Sequence, residues 1–225
     1  MNNIKNILGV GSIALDTIET INGNRENLLG GSATYFSIAA SLLANVKLVG
    51  VVGTDYPQQG WDLFQSYGIN TDNVSTAKGS TFKWGGRYSS DYSSRKTLFT
   101  ELGVFENFCP TIIKEDQDSP LVFLGNIQPE LQLQVAQKTK RAEYIVSDTM
   151  NLWIDLFPEQ LKEVFSVSSI FLINHEEAEQ ITGETNMIKA GKKLLDLGPK
   201  AVVIKQGADG AFLTSNNGNY NVPAY

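Results

Sequence analysis

The chain has 225 residues, 42% hydrophobic and 19% charged, enough for one large or two small globular domains with a sizeable core. The formal net charge is −6, with no basic cluster. This argues against nucleic acid or an anionic membrane as the main partner, but not against a phosphorylated ligand held by backbone N–H groups. Cys109 is the single cysteine and His175 the single histidine, so an intramolecular disulfide, a cysteine metal site and a histidine pair are all excluded.

In chain order, Ile7-Leu8-Gly9-Val10-Gly11 reads as a buried first strand. Gly9 to Ala14 fits the dinucleotide pattern G-x-G-x-x-A, which requires a helix directly after the glycines. Asp16 to Ile21 is instead β-branched and roughly alternating, and Asn22-Gly23-Asn24 is a turn, so a hairpin is expected and a nicotinamide-dependent oxidoreductase is disfavoured. Gly30-Gly31 then opens a helix of small and apolar residues to Leu43, with Ser32 placed to cap it. Apolar nearly all round, this helix is expected to be buried. Its bare glycine step leaves room for a ligand to approach free N–H groups, and tight helix packing explains it equally well.

Val46 to Gly53 is a second buried strand, followed at Thr54-Asp55-Tyr56-Pro57 by a helix through Phe64. Strand–helix alternation is the mark of a parallel sheet with crossover helices. It breaks at about 74 to 105, where Phe82, Trp84, Gly86 and Tyr88 alternate with Lys83, Gly85 and Arg87, Ser90 to Ser93 turns, and Lys96 to Leu102 alternates again. Together with the segment at about 13 to 29, this predicts a small β flap. The rhythm then resumes. Strands are expected at Leu121–Asn126, Tyr144–Asp148, Ile170–Asn174 and Ala201–Lys205, and helices at 129–139, 158–165, 176–181 and 187–197. A closing hairpin spans 211–222.

Ligands of open parallel sheets bind outside the carboxyl ends of the strands. There stand Ser12, Asp16, Thr54, Asp55, Asn126, Asp148, Asn174, Glu177 and Lys205, the last just before Gly207. Acids, amides and one lysine suit a polyhydroxyl ligand and a metal–phosphate better than nucleophilic catalysis. Singly, each has a structural explanation. Asp55 suits a helix cap, Asp148 a loop, and Asn174-His175-Glu176-Glu177 a helix start.

In this order, Asp16 after the first strand, Gly30-Gly31, Val49-Gly50-Val51-Val52-Gly53-Thr54-Asp55, Asn174-x-x-Glu177 and Val202-Val203-Ile204-Lys205-Gln206-Gly207-Ala208-Asp209-Gly210 resemble the PfkB, ribokinase-like carbohydrate kinases over essentially the whole chain. The resemblance implies an α/β fold, a three-layer α/β/α sandwich with a mostly parallel central sheet and a small antiparallel β lid. It implies one kinase domain over 1–225, with the lid inserted at about 13–29 and 74–105. It also implies transfer of the γ-phosphoryl group of ATP, with Mg²⁺, to a hydroxyl of a small-molecule sugar or related polyol.

By the same resemblance, Asp16, Gly30, Gly31, Tyr35, Arg87 and Asn126 bind substrate. Asn174, Lys205, Gly207 and Gly210 lie by the nucleotide phosphates, and Glu177 acts on the metal through water. Tyr35 stands where many members have asparagine, and Lys205 where ribokinase has threonine. No residue matches the family's G-A-G-D motif with its catalytic aspartate, so the sequence is expected to be a C-terminally incomplete kinase domain with no catalytic base of its own and weak or absent turnover. The alternative is a non-catalytic sugar- or nucleoside-binding module of the same fold. A cytoplasmic protein is expected, without nucleic-acid or membrane partners, and a homodimer through the lid is compatible with the resemblance.

Overall fold

The computed structural model describes residues 6–92 and 94–224. The N-terminal residues 1–5, Ser93 of the expected turn and Tyr225 lie outside the described residues. The chain divides into two units, 1–116 and 117–225.

In the first unit, β1 (Asn6–Val10), β4 (Asn45–Gly53) and β5 (Asn70–Ala77) run parallel in the order β1-β4-β5. β4 is buried from Leu48 onward on both faces, as its unbroken apolar run demands. Residues 70–77, whose later part was expected in the flap, instead pair with β4 and extend the parallel sheet. Polar and β-branched residues suit such a half-exposed edge, so the strand carries no continuous apolar signal.

The second sheet has the order β3-β2-β6-β7, built from β2 (Ala14–Thr20), β3 (Gly23–Gly30), β6 (Phe82–Tyr88) and β7 (Arg95–Glu101). Two antiparallel hairpins meet through the parallel pair β2–β6. The first hairpin turns at Ile21-Asn22, one residue before the expected turn, and β3 runs straight into the two glycines.

Helix α1 spans Ser32–Ser41, shorter than expected. It is not buried all round. Ala33, Thr34 and Ser37 face the core, whereas Tyr35 is 61% exposed and Leu43, just past the end, is 90% exposed. The Gly9-Val10-Gly11 step at the end of β1 makes room for this helix. A Cβ on Gly9 would meet the Phe36 ring at 3.2 Å, and one on Gly11 would meet Ser32 Oγ at 2.6 Å. Glycine therefore lets α1 lie directly on β1. Helix α2 (Gln58–Ser66) buries Phe64 against Tyr56, Leu48 and Val52. Asp55 does not cap it, because Pro57 occupies the cap position. Instead Asp55 Oδ1 accepts from Thr81 N and Oγ1, both at 2.7 Å, and Gly53 N donates to Thr81 Oγ1 at 2.9 Å. These bonds fix the start of β6 to the end of β4.

In the second unit, β8 (Leu121–Leu124), β9 (Tyr144–Asp148), β10 (Ile170–Asn174) and β11 (Ala201–Lys205) run parallel, and β12 (Ala211–Ser215) and β13 (Gly218–Val222) close the edge antiparallel. Helices α3 (Pro129–Lys138) and α5 (Pro158–Val167) each begin with proline, whose missing N–H costs nothing in the first turn. The sequence pattern missed α4 (Asn151–Leu156), a helix of under two turns that is too short to show periodicity. Helices α6 (His175–Thr182) and α7 (Met187–Leu195) follow. The core is Phe165 stacked on Phe171 at 3.7 Å, with Ile173, Leu194, Val202 and Ile204 around them. The buried Gln132 amide donates to the carbonyls of Leu124, Gly125 and Asp148, which holds the ends of β8 and β9 together.

Candidate functional site

The expected residues fall into two groups, one in each unit. In the first unit, Asp16 lies on β2 opposite Leu28 of β3 and Trp84 of β6. Among the described residues its carboxylate has no hydrogen-bond or ion-pair partner, and burial pushes its pKa up to about 6. Gly30 is glycine because of it. A Cβ there would lie 2.1 Å from Asp16 Oδ2. Gly31 has a different reason. Its φ is +96°, and a Cβ would lie 2.3 Å from the Ser12 carbonyl oxygen. That carbonyl accepts from Ala33 N at 3.0 Å, and Ser12 Oγ accepts from Ser32 N at 3.1 Å. The N–H groups of Ser32 and Ala33, expected to be free for a ligand, are thus taken by the β1–β2 loop. Ser32 does not cap the helix, and its hydroxyl lies 3.2 Å from that of Ser12.

Tyr35 stands in the first turn of α1, where its N–H bonds to Gly31 O at 3.2 Å. Burial and then the nearby Asp16 and Tyr88 charges raise its phenol above the usual range, so Asp16, Tyr35 and Tyr88 of β6 share one neighbourhood. Arg87, one residue earlier on β6, donates from Nε to Glu19 Oε2 at 2.6 Å, across the β2–β6 register. Sequence reasoning did not single out Trp84. Its indole lies over Gly86, where a Cβ would meet the ring at 2.1 Å, and its Nε1 reaches Thr97 Oγ1 at 3.4 Å. The signal was present in the alternation of Trp84, Gly86 and Tyr88, which puts all three on one face of the strand.

In the second unit the strand-end groups satisfy one another. Asn174 Oδ1 accepts from Glu177 N at 2.8 Å and Glu177 Oε2 accepts from Asn174 N at 2.9 Å, a reciprocal capping box that starts α6. Lys205 Nζ lies 3.1 Å from Asp148 Oδ1, bridging the ends of β11 and β9 on either side of β10. Asn126 Oδ1 accepts from Trp153 Nε1 at 2.7 Å, and its Nδ2 lies 3.1 Å from Met150 Sδ, so this amide, expected to hold substrate, orders the chain before α4. Gly207 has φ +59° and open space where a Cβ would be. Gly210, expected beside phosphate, is glycine for packing, since a Cβ would lie 2.0 Å from the Val222 carbonyl oxygen. Among the described residues no three His, Cys, Asp or Glu side chains gather to hold a metal ion. None of their helices is long and apolar enough to cross a membrane.

A mostly parallel α/β sheet accompanied by a small antiparallel one is the ribokinase-like fold, and solved structures bear this out. The chain superposes on a Burkholderia thailandensis nucleoside kinase in complex with inosine with a TM-score of 0.81, at 19% identity, over 97% of this chain and 76% of that one. It superposes equally well, with a TM-score of 0.81, on a ribokinase from Cryptococcus neoformans in complex with ADP, at 18% identity, over 98% and 79% of the two chains. By sequence, residues 127–225 match the pfkB family of carbohydrate kinases. A cytidine kinase from Thermococcus kodakarensis is 28% identical over 208 residues, 91% of this chain and 74% of the relative. By this family match and by its fold, the chain is similar to the PfkB, ribokinase-like kinases.

Proposed function

We propose that the protein transfers the γ-phosphoryl group of ATP to a hydroxyl of a sugar or nucleoside, and that Asp16 holds that acceptor. The observation that carries this reading is the Asp16 carboxylate. It is half-buried, without a partner among the described residues, and pressed on a glycine that has no other reason to be one. A desolvated carboxylate with open acceptor sites suits a ligand that brings O–H donors. The cytidine kinase relative supports including nucleosides among the acceptors.

Lys205 and the open turn at Gly207 would take the donor's phosphates, with Lys205 exchanging Asp148 for a polyanion. Mg²⁺ would neutralise charge between the phosphates. It binds through waters, phosphates and one or two carboxylates, so a site without a cluster of three acids fits it, and Glu177 would act on it through water. Phosphoryl transfer of this kind depends mainly on positioning and charge neutralisation. With no G-A-G-D motif among them, the 225 residues are expected to bind the acceptor and turn over little by themselves. Arg87, held by Glu19, would shape the lid over the substrate.

One observation favours the alternative of a non-catalytic binding module, namely that Asn174, Glu177, Lys205 and Asp148 are mutually satisfied. Two measurements on the chain decide. Calorimetry with ribose and cytidine should show binding of at least one, weakened about tenfold or more by Asp16→Asn. Calorimetry with a non-hydrolysable ATP analogue and Mg²⁺ should show binding weakened by Lys205→Ala. Acceptor binding indifferent to Asp16→Asn overturns the acceptor site, and no nucleotide binding leaves the module reading.

A further inference from the structure

Trp84 and Asp16 are direct neighbours in the β2–β6 register, so their side chains leave the same face of the small sheet. Two residues on, Gly86 supplies the bare backbone on which the indole lies. Its missing Cβ would fall 2.1 Å from the ring, so the ring is held down against the strand. Thr97 of β7, paired with Gly86, meets the indole Nε1 at 3.4 Å. The result is a part-exposed aromatic plane, fixed at one edge, beside a carboxylate that lacks a partner among the described residues. Tyr35, 61% exposed, adds a second aromatic ring within electrostatic reach of the same carboxylate. A free sugar can lay only the C–H groups of one small puckered face on an indole, a weaker contact than the stacking of a planar ring. A planar heterocycle joined to a hydroxyl-bearing ring uses both features, because bases stack on aromatic side chains regardless of their identity.

We infer that Trp84, laid on Gly86 beside Asp16, is a stacking platform that selects acceptors carrying a planar ring, the nucleoside class, over free sugars. This rests on the reading of Asp16 as the acceptor-binding carboxylate. The platform chooses the acceptor through its attached ring, at a position separate from the hydroxyl being bound.

The test is titration of the full chain with cytidine and with ribose, by calorimetry and by tryptophan emission, on the wild type and on Trp84→Leu, Trp84→Phe and Gly86→Ala, with circular dichroism to confirm folding. The wild type should bind cytidine at least tenfold tighter than ribose, and cytidine alone should quench emission. Trp84→Leu should cut the preference about tenfold while moving ribose affinity less than twofold. Trp84→Phe should keep most of the preference and lose the quench. Gly86→Ala, which lifts the indole without removing it, should behave like Trp84→Leu. Equal wild-type affinities, no binding of either ligand, or an unchanged preference in Trp84→Leu would each overturn the platform. Asp16→Asn separates the two readings. If it abolishes binding while Trp84→Leu changes nothing, the acceptor site stands and the platform falls. If only Trp84→Leu acts, Trp84 stacks a ligand that Asp16 does not hold, and the acceptor site falls together with the platform inferred beside it.

Discussion

Asp16 and Asp148 both stand on parallel-paired strands among polar candidates, yet the molecule treats them oppositely. Asp16 is desolvated with no compensating partner among the described residues, so its carboxyl is pushed up to about 6. Asp148 has the Lys205 ammonium at 3.1 Å. The glycines around them differ in the same way. Gly30 and Gly31 are each forced by a specific atom, an Asp16 oxygen and the Ser12 carbonyl, whereas Gly207 faces open space. One group holds an uncompensated carboxylate against bare backbone at a cost in stability, and the other is a set of mutually satisfied groups that a ligand would have to compete for. Uncompensated polar groups persist where function needs them, and satisfied ones need no such reason.

The largest expected effect tests the forced glycines. Gly31→Ala puts a Cβ against backbone at a φ of +96°, where neither partner yields, so we expect a loss of about 3 kcal/mol or more. That is a fall in Tm on the order of 10 °C. Gly207→Ala meets only the intrinsic cost of a left-handed alanine, about 1 kcal/mol. Thermal denaturation of both variants reads the contrast, and equal losses would break it.

Asp16→Asn comes next, because it removes a charged acceptor. Acceptor affinity should fall roughly 10- to 100-fold, from the 1.5–3 kcal/mol typical of hydrogen bonds to charged groups. The pH signature is specific. With the folded pKa raised from 3.8 to about 6, the folded state holds this proton more tightly, so the contribution of Asp16 to stability is fully present below pH 4 and is lost as pH rises through 6. The Tm of Asp16→Asn should therefore exceed that of the wild type above pH 6, and the two should converge near pH 4. Binding runs the other way, since wild-type affinity for the acceptor should fall as pH is lowered through 6. A pH-independent Tm difference would mean that Asp16 is compensated after all.

The strand–helix alternation, the buried runs and the two hairpins were legible because period and apolar run length carry them. Asn70–Ala77 was not, because an edge strand can be polar and still pair. The positions of Asp16, Gly30 and Gly31 were legible, but their reasons were not. Which atom fills the space over a glycine is settled by chain segments 14 to 19 residues away, as Asp16 over Gly30 and Ser12 at Gly31 show. The helix of 32–41 misled for a related cause. Its apolar residues outnumber the core-facing positions, so composition suggested burial where geometry leaves Tyr35 exposed. Trp84 needed both facts at once, the strand alternation and the glycine beneath the ring.

In the second unit the effects should be smaller and separable. Asn174→Ala removes half of the capping box, about 1 kcal/mol of stability. Lys205→Ala should matter less still for folding. Its side chain is 45% exposed and its pair with Asp148 is partly screened by solvent, so the loss should stay under about 1 kcal/mol, visible as a Tm change of a few degrees at most. If Lys205 leaves Asp148 for the donor phosphates, the same substitution should weaken binding of an ATP analogue well beyond that change, and increasingly so at low ionic strength, where charge attraction is least screened. Lys205→Arg should restore much of it. A Lys205→Ala variant with unaltered nucleotide affinity would instead make the ion pair a strand-end fastening, and the contrast with Asp16 would then be one between a binding group and a purely structural one.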